Sequence, residues 1–209
     1  LMERFFDVNP NIIDRFPRFR ELADKRTDAG GFFAPLETFD EAEYRDLQVL
    51  FNLAWTDPSF LAEAPLDALV AKGREYSEED KAIVFEEHLR IAAEVIPIHQ
   101  RLWESGQIEL TTTPLAHPIL PLIADTSIAA VGDPTAVLPS RPFRHVADAD
   151  LHVQAGLDTA ERLLGSRPSG MWPGEGSVAE LVMWLFSKNG VEWVSTGEEV
   201  LASSIGLGS

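Results

Sequence analysis

The sequence predicts an α/β fold with a mainly parallel sheet. Amphipathic helical segments alternate along the chain with short apolar or β-branched runs, in the order helix then strand, four times over. This alternation is typical of βα units, whose strands pair in parallel. Glycines and prolines mark the boundaries, and the chain contains no internal repeat. In such a fold the functional residues lie in the loops that follow the carboxyl ends of the strands.

Composition limits the class of protein. The chain has 209 residues, of which 45% are apolar and 24% are charged, as in an ordinary globular domain. The formal net charge of −17 disfavours nucleic acid and anionic membranes as partners. The absence of cysteine excludes disulfides, thiolate catalysis and cysteine-ligated zinc. No apolar run reaches the roughly 20 residues of a membrane helix, and no secretion signal is recognisable, so a cytoplasmic location is expected.

The first half of the chain contains two predicted helices. Residues 40–50 form one, with a capping box made by Asp40 and Glu43, and residues 51–55 are predicted to turn into a short strand. Residues 77–105 form the longest helix, which Pro97 should kink.

The second half supplies the remaining strands. Residues 108–113 are predicted to form a strand, and residues 126–144 a long loop. Helices are predicted over residues 148–164 and 177–189, with an apolar strand at residues 170–173 between them, and the last strand over residues 191–195.

A first candidate cluster surrounds the strand at residues 108–113. Glu109 lies among isoleucine, leucine and threonine, where a buried unpaired carboxylate is costly, and His117 follows the strand. Both are candidates for a site at the strand end. The alternatives are a solvent-facing carboxylate on an edge strand and a hydrogen-bonded loop histidine.

A second candidate is Glu175, which lies between Gly174 and Gly176, after an apolar run and before a helix. Glycines permit backbone shapes that other residues resist. Trp172 offers a flat apolar face, and sugars expose flat C–H faces, so an aromatic ring beside a carboxylate suits a carbohydrate. The alternative is that Glu175 only stabilises the N-terminus of the following helix.

Glu198 and Glu199 follow the last predicted strand. Together with Glu175 they place carboxylates at the ends of successive strands. Glycoside hydrolysis uses two carboxylates, about 5–5.5 Å apart in retaining enzymes. The alternative is a first helical turn enriched in acids. The sequence lacks a phosphate loop, a His-Glu-x-x-His zinc motif and a nucleophile elbow, so the competing enzyme classes have no positive evidence.

Four segments of the chain form a series of long motifs. They are residues 51–55 (FNLAW), 106–109 (GQIE), 117–122 (HPILPL) and 170–178 (GMWPGEGSV). In this order they resemble consecutive motifs of glycoside hydrolase family 57, nearest to its amylopullulanase-like members. Shorter spacer segments resemble the same group, at residues 16–22 and 72–74.

The resemblance implies a fold and a set of residue roles. The family's fold is an incomplete barrel of seven βα units, so the chain is expected to form part of an incomplete (β/α)7 barrel with parallel strands. Glu175 matches the family's catalytic nucleophile. Roles in substrate binding are implied for four further residues: Glu109, His117, Trp172 and Trp55.

The sequence departs from the family's pattern in two places. Members begin with a strand that bears a histidine-rich motif, which this chain lacks. The family's general acid is an aspartate in a Thr-Asp-Glu-like context, where this sequence has Thr196, Gly197 and Glu198. Either Glu198 replaces the aspartate as catalytic acid, or the acid is lost. Residues 1–209 are expected to be one barrel domain truncated at both ends, with an apolar sheet edge and marginal stability.

The predicted function is that of a retaining glycoside hydrolase or glucanotransferase acting on α-glucans, without a metal or cofactor. One alternative is a non-catalytic carbohydrate-binding or regulatory relative that has lost its general acid. Another is a barrel like that of the polysaccharide deacetylases, which needs an Asp-His-His metal site. The five histidines lack that spacing, and three of them fall on predicted helices: His88, His99 and His152.

Overall fold

The computed structural model describes residues 3–206, which fall into two compact units. The first unit extends to Glu94 and the second begins at Val95. The described residues of the first unit are helical or irregular. Its α-helices are α1 (Pro10–Ile13), α2 (Pro17–Asp28), α3 (Glu41–Ala54), α4 (Pro58–Leu61), α5 (Leu66–Lys72) and the first part of α6 (Glu78–Glu104).

The start of α3 is the predicted capping box. The Asp40 carboxylate accepts a hydrogen bond from the backbone N–H of Glu43 at 2.8 Å, and the Glu43 carboxylate accepts one from the N–H of Asp40 at 3.1 Å. The helix then continues to Ala54, so the strand predicted over residues 51–55 is wrong. Leu50 and Leu53 are both buried, because Leu53 continues the helical spacing of the apolar face beyond the predicted end at residue 50.

The core of the first unit lies between α2 and α3. Phe19, Leu22 and Leu47 are fully buried there. Asp46 is also buried, and its carboxylate accepts hydrogen bonds from the guanidinium of Arg18 at 2.9 Å and the backbone N–H of Tyr76 at 3.0 Å. A buried carboxylate is tolerated only when it is paired in this way. The pair therefore joins α2, α3 and the segment that leads into α6.

The start and the end predicted for the long helix α6 are both confirmed. The Ser77 hydroxyl accepts a hydrogen bond from the N–H of Asp80 at 3.2 Å, and the Asp80 carboxylate accepts one from the N–H of Ser77 at 2.7 Å. Pro97 lies inside the helix, and Gly106 follows its end with a φ of +71°. Glycine adopts this left-handed conformation without steric cost, which is why the helix stops there.

The second unit contains the sheet. Its elements are the end of α6, β1 (Thr111–Thr112), α7 (Leu120–Ala124), α8 (Ala129–Gly132), α9 (Val146–Leu164), β2 (Gly170–Met171), α10 (Glu180–Lys188), β3 (Trp193–Val194) and α11 (Glu198–Ser204). The three strands pair in parallel in the order β1-β2-β3. The α/β class is therefore confirmed, although the strands are much shorter than predicted. The predicted loop over residues 126–144 contains a 3-10 turn and the short helix α8.

Close approaches of the backbone shape this sheet and its cover. The indole ring of Trp193 on β3 lies over Gly170 on β2, where a β-carbon would overlap the ring. Helices α7, α9 and α10 cover the sheet with a buried core that includes Leu120, Leu157 and Leu185.

Among the described residues, no helix has the length and apolar character needed to span a membrane.

One polar contact holds α9 against the end of α10. The Asp150 carboxylate accepts hydrogen bonds from the ammonium of Lys188 at 2.6 Å and the amide of Asn189 at 2.7 Å. The amide of Gln154 donates to the same carboxylate at 2.9 Å. The bonds from Lys188 and Asn189 lower the pKa of Asp150 below its ordinary value.

This lowered pKa predicts a pH-dependent stability. Because the pKa is depressed in the folded state, Asp150 stabilises the protein above the unfolded pKa, and this contribution is lost as the pH falls through the folded pKa. We expect Asp150→Asn to lower the free energy of unfolding at pH 7 by about 1 kcal/mol. The loss should shrink below about pH 4, as measured by urea unfolding across the pH range.

The matched control is Asp148→Asn on the same helix, because the Asp148 side chain is 57% exposed. We expect a change of less than about 0.5 kcal/mol for this variant at every pH. An Asp150→Asn loss of equal size at pH 7 and pH 3 would contradict the linkage.

Candidate active site

The site lies at the carboxyl end of the sheet in the second unit. The N–H of Trp172 donates to the carbonyl of Thr112 at 2.8 Å, and the N–H of Ser195 donates to the carbonyl of Met171 at 3.2 Å. Each bond continues the parallel pairing just beyond a two-residue strand. The loops that follow β1, β2 and β3 therefore leave the sheet side by side.

Glu175 and His117 meet in these loops. The Nε2 atom of His117 lies 3.3 Å from Oε1 of Glu175, and the backbone N–H of Glu175 donates to the same Nε2 at 3.4 Å. The Nδ1 atom lies 3.3 Å from the hydroxyl of Thr113. Nε2 must be unprotonated to accept from the backbone and protonated to donate to the carboxylate, so the two contacts belong to different protonation states. The imidazole can therefore make only one of these two contacts at a time.

Both residues have a left-handed backbone. The φ angle is +57° at Glu175, +53° at His117 and +62° at Ala116. A residue with a β-carbon pays roughly 1–2 kcal/mol in this region. Such strain persists where the surroundings hold the chain firmly, and it clusters at active sites and ligand clamps.

Gly174 allows the two loops to touch. A β-carbon at residue 174 would overlap the carbonyl oxygen of Pro118 and lie 3.1 Å from the carbonyl oxygen of His117. Only glycine permits this approach. The loop after β2 therefore lies directly on the backbone that follows His117, and Glu175 is the next residue.

The loop after β3 is joined to the same structure. The Thr196 hydroxyl donates to the carbonyl of Gly176 at 2.7 Å. A β-carbon on Gly176 would come within 3.9 Å of the backbone nitrogen of Gly197. This bond holds the residues that precede α11 against the Glu175 loop.

Trp172 completes the cluster. Its ring is half exposed, and its centroid lies 6.0 Å from that of His117 with an interplanar angle of 88°. The Glu175 side chain is 71% exposed and the His117 side chain 43% exposed. The structure therefore presents a carboxylate, an imidazole and an indole together to solvent, and their roles stay predictions.

Glu198 is the first residue of α11, and its neighbour Glu199 occupies the space beside Gly197. A β-carbon on Gly197 would lie 3.2 Å from the Cδ and Oε1 atoms of Glu199. An aspartate at position 197 would therefore meet a second carboxylate. Among the described residues, no hydrogen bond or ion pair joins Glu198 to Glu175.

Glu109 lies at the other end of the sheet. It precedes β1, and Ser169, which donates its hydroxyl proton to Glu109 Oε1 at 3.4 Å, precedes β2. The expectation that Glu109 converges with Glu175 is therefore wrong, because β1 begins at Thr111 and residue 109 comes before its amino end. A role of Glu109 in substrate binding stays a prediction that the arrangement does not favour.

Trp55 belongs to the first unit. It caps the C-terminus of α3, and its side chain is 64% exposed. With Phe51, Phe60 and His88 it lines a cavity of about 630 Å³, in which His88 Nε2 lies 2.9 Å from the Thr56 hydroxyl. Its proposed part in substrate binding stays a prediction.

Two residues of α9, which were not predicted from the sequence, position the segment before His117. The carbonyl of His152 accepts from the N–H of Leu115 at 2.9 Å, and His152 Nδ1 lies 2.7 Å from the carbonyl of Leu115. A β-carbon on Gly156 would overlap the carbonyl oxygen of Thr113. A glycine inside a predicted helix was the available signal, because it marks a close approach of another segment.

No group of three or more histidine, aspartate or glutamate side chains within residues 3–206 is arranged to hold a metal ion. The chemistry available at the strand ends is that of a carboxylate, an imidazole and an aromatic face. A carboxylate beside an aromatic face is compatible with a carbohydrate-active protein, in which glycoside hydrolysis would need a second carboxylate.

Comparison with known families agrees with this class. The sequence model of Glycosyl hydrolase family 57 matches residues 3–206, and the chain belongs to that family. It is therefore a glycosidase domain with a carbohydrate substrate, and the resemblance seen in its motifs is confirmed. No curated protein and no solved structure matches the chain.

The backbone at Glu175 predicts an unusual order of stabilities. Glu175→Gly removes the β-carbon that makes a left-handed φ costly, whereas Glu175→Ala keeps it. Both variants lose the carboxylate, so their comparison isolates the backbone. We expect the glycine variant to be more stable than the alanine variant by about 1 kcal/mol in denaturant unfolding. An alanine variant at least as stable as the glycine variant would show that residue 175 is not held in this conformation.

Proposed function

We propose that this chain is the nucleophile-bearing part of a retaining glycoside hydrolase or glucanotransferase that acts on α-glucans, with a specificity of the α-amylase or amylopullulanase type. The observation that supports this most directly is the Glu175 carboxylate, which is exposed at a strand end and lies 3.3 Å from the imidazole of His117. The three-stranded parallel sheet is proposed to be part of an incomplete (β/α)7 barrel.

The reaction assigns a role to each residue. A carboxylate oxygen of Glu175 attacks the anomeric carbon, the bond to the leaving oxygen breaks, and a glycosyl ester forms. The leaving oxygen takes a proton, for which Glu198 is the proposed donor. Water, or the hydroxyl of a second glucan in a transferase, then displaces Glu175. The imidazole of His117 orients the carboxylate, and the exposed face of Trp172 is suited to the flat side of a sugar ring.

The proposed substrate also agrees with the charge of the chain. A net charge of −17 repels anionic polymers but leaves a neutral polysaccharide unaffected. Neither a metal nor a cofactor is needed for this mechanism, because the two carboxylates supply both the nucleophile and the proton.

Glu175→Gln tests the nucleophile. An amide is a poor nucleophile, so we expect hydrolysis of maltooligosaccharides to fall at least about 1,000-fold with little change in their binding. Product release is measured by chromatography, and binding by calorimetry. Glu192→Gln, at the opposite end of the sheet, is the matched control and should keep the parent rate. Equal rates for the parent and Glu175→Gln would remove Glu175 from the mechanism.

Glu198→Gln tests the proton donor. If Glu198 protonates the leaving oxygen, the variant should lose about 100-fold or more on glucans, while activated aryl α-glucosides should be affected far less. Aryl oxides with a low pKa depart with little protonation, which is the reason for the difference. Steady-state kinetics on both substrate types measure it, and equal losses on both would reject Glu198 as the acid.

A second candidate function is supported by Gly197. The family's acid position has no side chain here, so the chain is alternatively a carbohydrate-binding relative without catalysis. In that case the parent protein binds maltooligosaccharides but does not hydrolyse them. Gly197→Asp, combined with Glu199→Ala to remove the side chain that would crowd residue 197, would then be the variant that introduces activity.

A further inference from the structure

A large aliphatic pocket lies beside the proposed nucleophile. Its volume is about 1180 Å³, and Glu175 and Ser177 contribute to its wall. Asp133, Glu180 and Ser204 also line it, but most of the remaining wall is aliphatic and comes from α7, α8, α10, α11 and the segments next to them. The residues that matter here are Leu122, Ile128, Val131, Val178, Leu181 and Val200.

The chemistry of this wall differs from that of a sugar site. Sugar rings bind through aromatic faces and dense hydrogen bonding, whereas no aromatic side chain of the described residues lines this pocket. Aliphatic walls gain free energy by removing other apolar groups from water. The pocket is therefore suited to an alkyl chain, and the polar groups of Glu175 and Ser177 are suited to a hydroxylated head group attached to it.

We propose that this pocket binds the aliphatic aglycone of an α-glucoside whose sugar lies against Glu175. The proposal rests on the proposed function of Glu175 and extends it to a substrate class, the alkyl glycosides. Continuity with Glu175 selects this occupant, because a ligand that fills the pocket also reaches the carboxylate. A purely apolar ligand would make no polar contact with that carboxylate.

The reaction on this substrate is a simple hydrolysis. Glu175 attacks the anomeric carbon, the bond from that carbon to the aglycone oxygen breaks, and the oxygen takes one proton to leave as an alkanol. Water then displaces Glu175, and the proton that this water loses restores Glu198, the proposed donor of the alkanol proton. The sum is one alkyl glucoside and one water converted into one alkanol and one glucose, with no oxidant or reductant.

Calorimetric binding of methyl, butyl, hexyl and octyl α-glucoside tests the pocket, with each compound below its critical micelle concentration. We expect the affinity to rise about two- to fourfold for each added methylene that enters the pocket. Val131→Asp should abolish this rise, because it places a charge in the wall. Val131 is 78% exposed, so the substitution should leave the fold intact. Leu151→Asp is the matched control, because Leu151 is 60% exposed and lies outside the pocket.

Three outcomes would overturn the proposal. The first is an affinity that does not depend on chain length. The second is a dependence that survives in Val131→Asp or is lost equally in Leu151→Asp. The third is a parent dimer that dissociates in Val131→Asp during sedimentation, which would show that a second copy covers the pocket.

The proposed function is tested separately by the turnover of α-glucosyl fluoride, which has no aglycone to bind. Turnover of this compound by the parent and its loss in Glu175→Gln concern the nucleophile alone. If the affinity depends on alkyl chain length but α-glucosyl fluoride is not turned over, the pocket proposal stands and Glu175 is rejected as the nucleophile. If α-glucosyl fluoride is turned over but the affinity does not depend on chain length, Glu175 stands as the nucleophile and the pocket proposal is rejected.

Discussion

The backbone of Gly174 packs against the carbonyl of Pro118, where the β-carbon of any other residue would overlap the carbonyl oxygen. This contact joins the loop after β2 to the loop after β1, and it does so one residue before Glu175. The carboxylate consequently lies 3.3 Å from the imidazole of His117. The close backbone approach at Gly174, rather than a strong polar bond, therefore sets the positions of the two residues, because each polar contact between them is longer than 3 Å.

A close approach at a second glycine holds the loop after β1, which contains His117. Gly156 lets α9 lie against the carbonyl of Thr113, and His152 bonds to the backbone of Leu115. These contacts hold the segment between β1 and His117 without any side chain of the site taking part. A sheet with strands of two residues has few ladder bonds, so the position of its loops depends on such helix contacts. The left-handed backbone at Glu175 and His117 is the cost of that arrangement.

Local sequence and strand order were sufficient to predict which side chains lie near one another at the carboxyl end of the sheet. Glu175, Trp172 and His117 each follow a strand, so parallel pairing alone brings them to one edge of the sheet. The prediction failed at Glu109, because the residue lies in an apolar run whose first part is irregular and only Thr111 and Thr112 pair with β2. It failed also at residues 51–55, where aromatic residues favoured a strand but burial of Leu50 and Leu53 against α2 favoured a continued helix.

The sequence by itself determined the α/β class, the helix boundaries at Asp40, Ser77 and Gly106, and membership of Glycosyl hydrolase family 57. Each of these depends on residues close together in the chain or on motifs read in order. The tertiary structure alone decided which end of the sheet Glu109 occupies, how Glu199 fills the space beside Gly197, and that an aliphatic pocket lies next to Glu175. These features depend on contacts between residues distant in the chain, and local propensity contains no information about such distances.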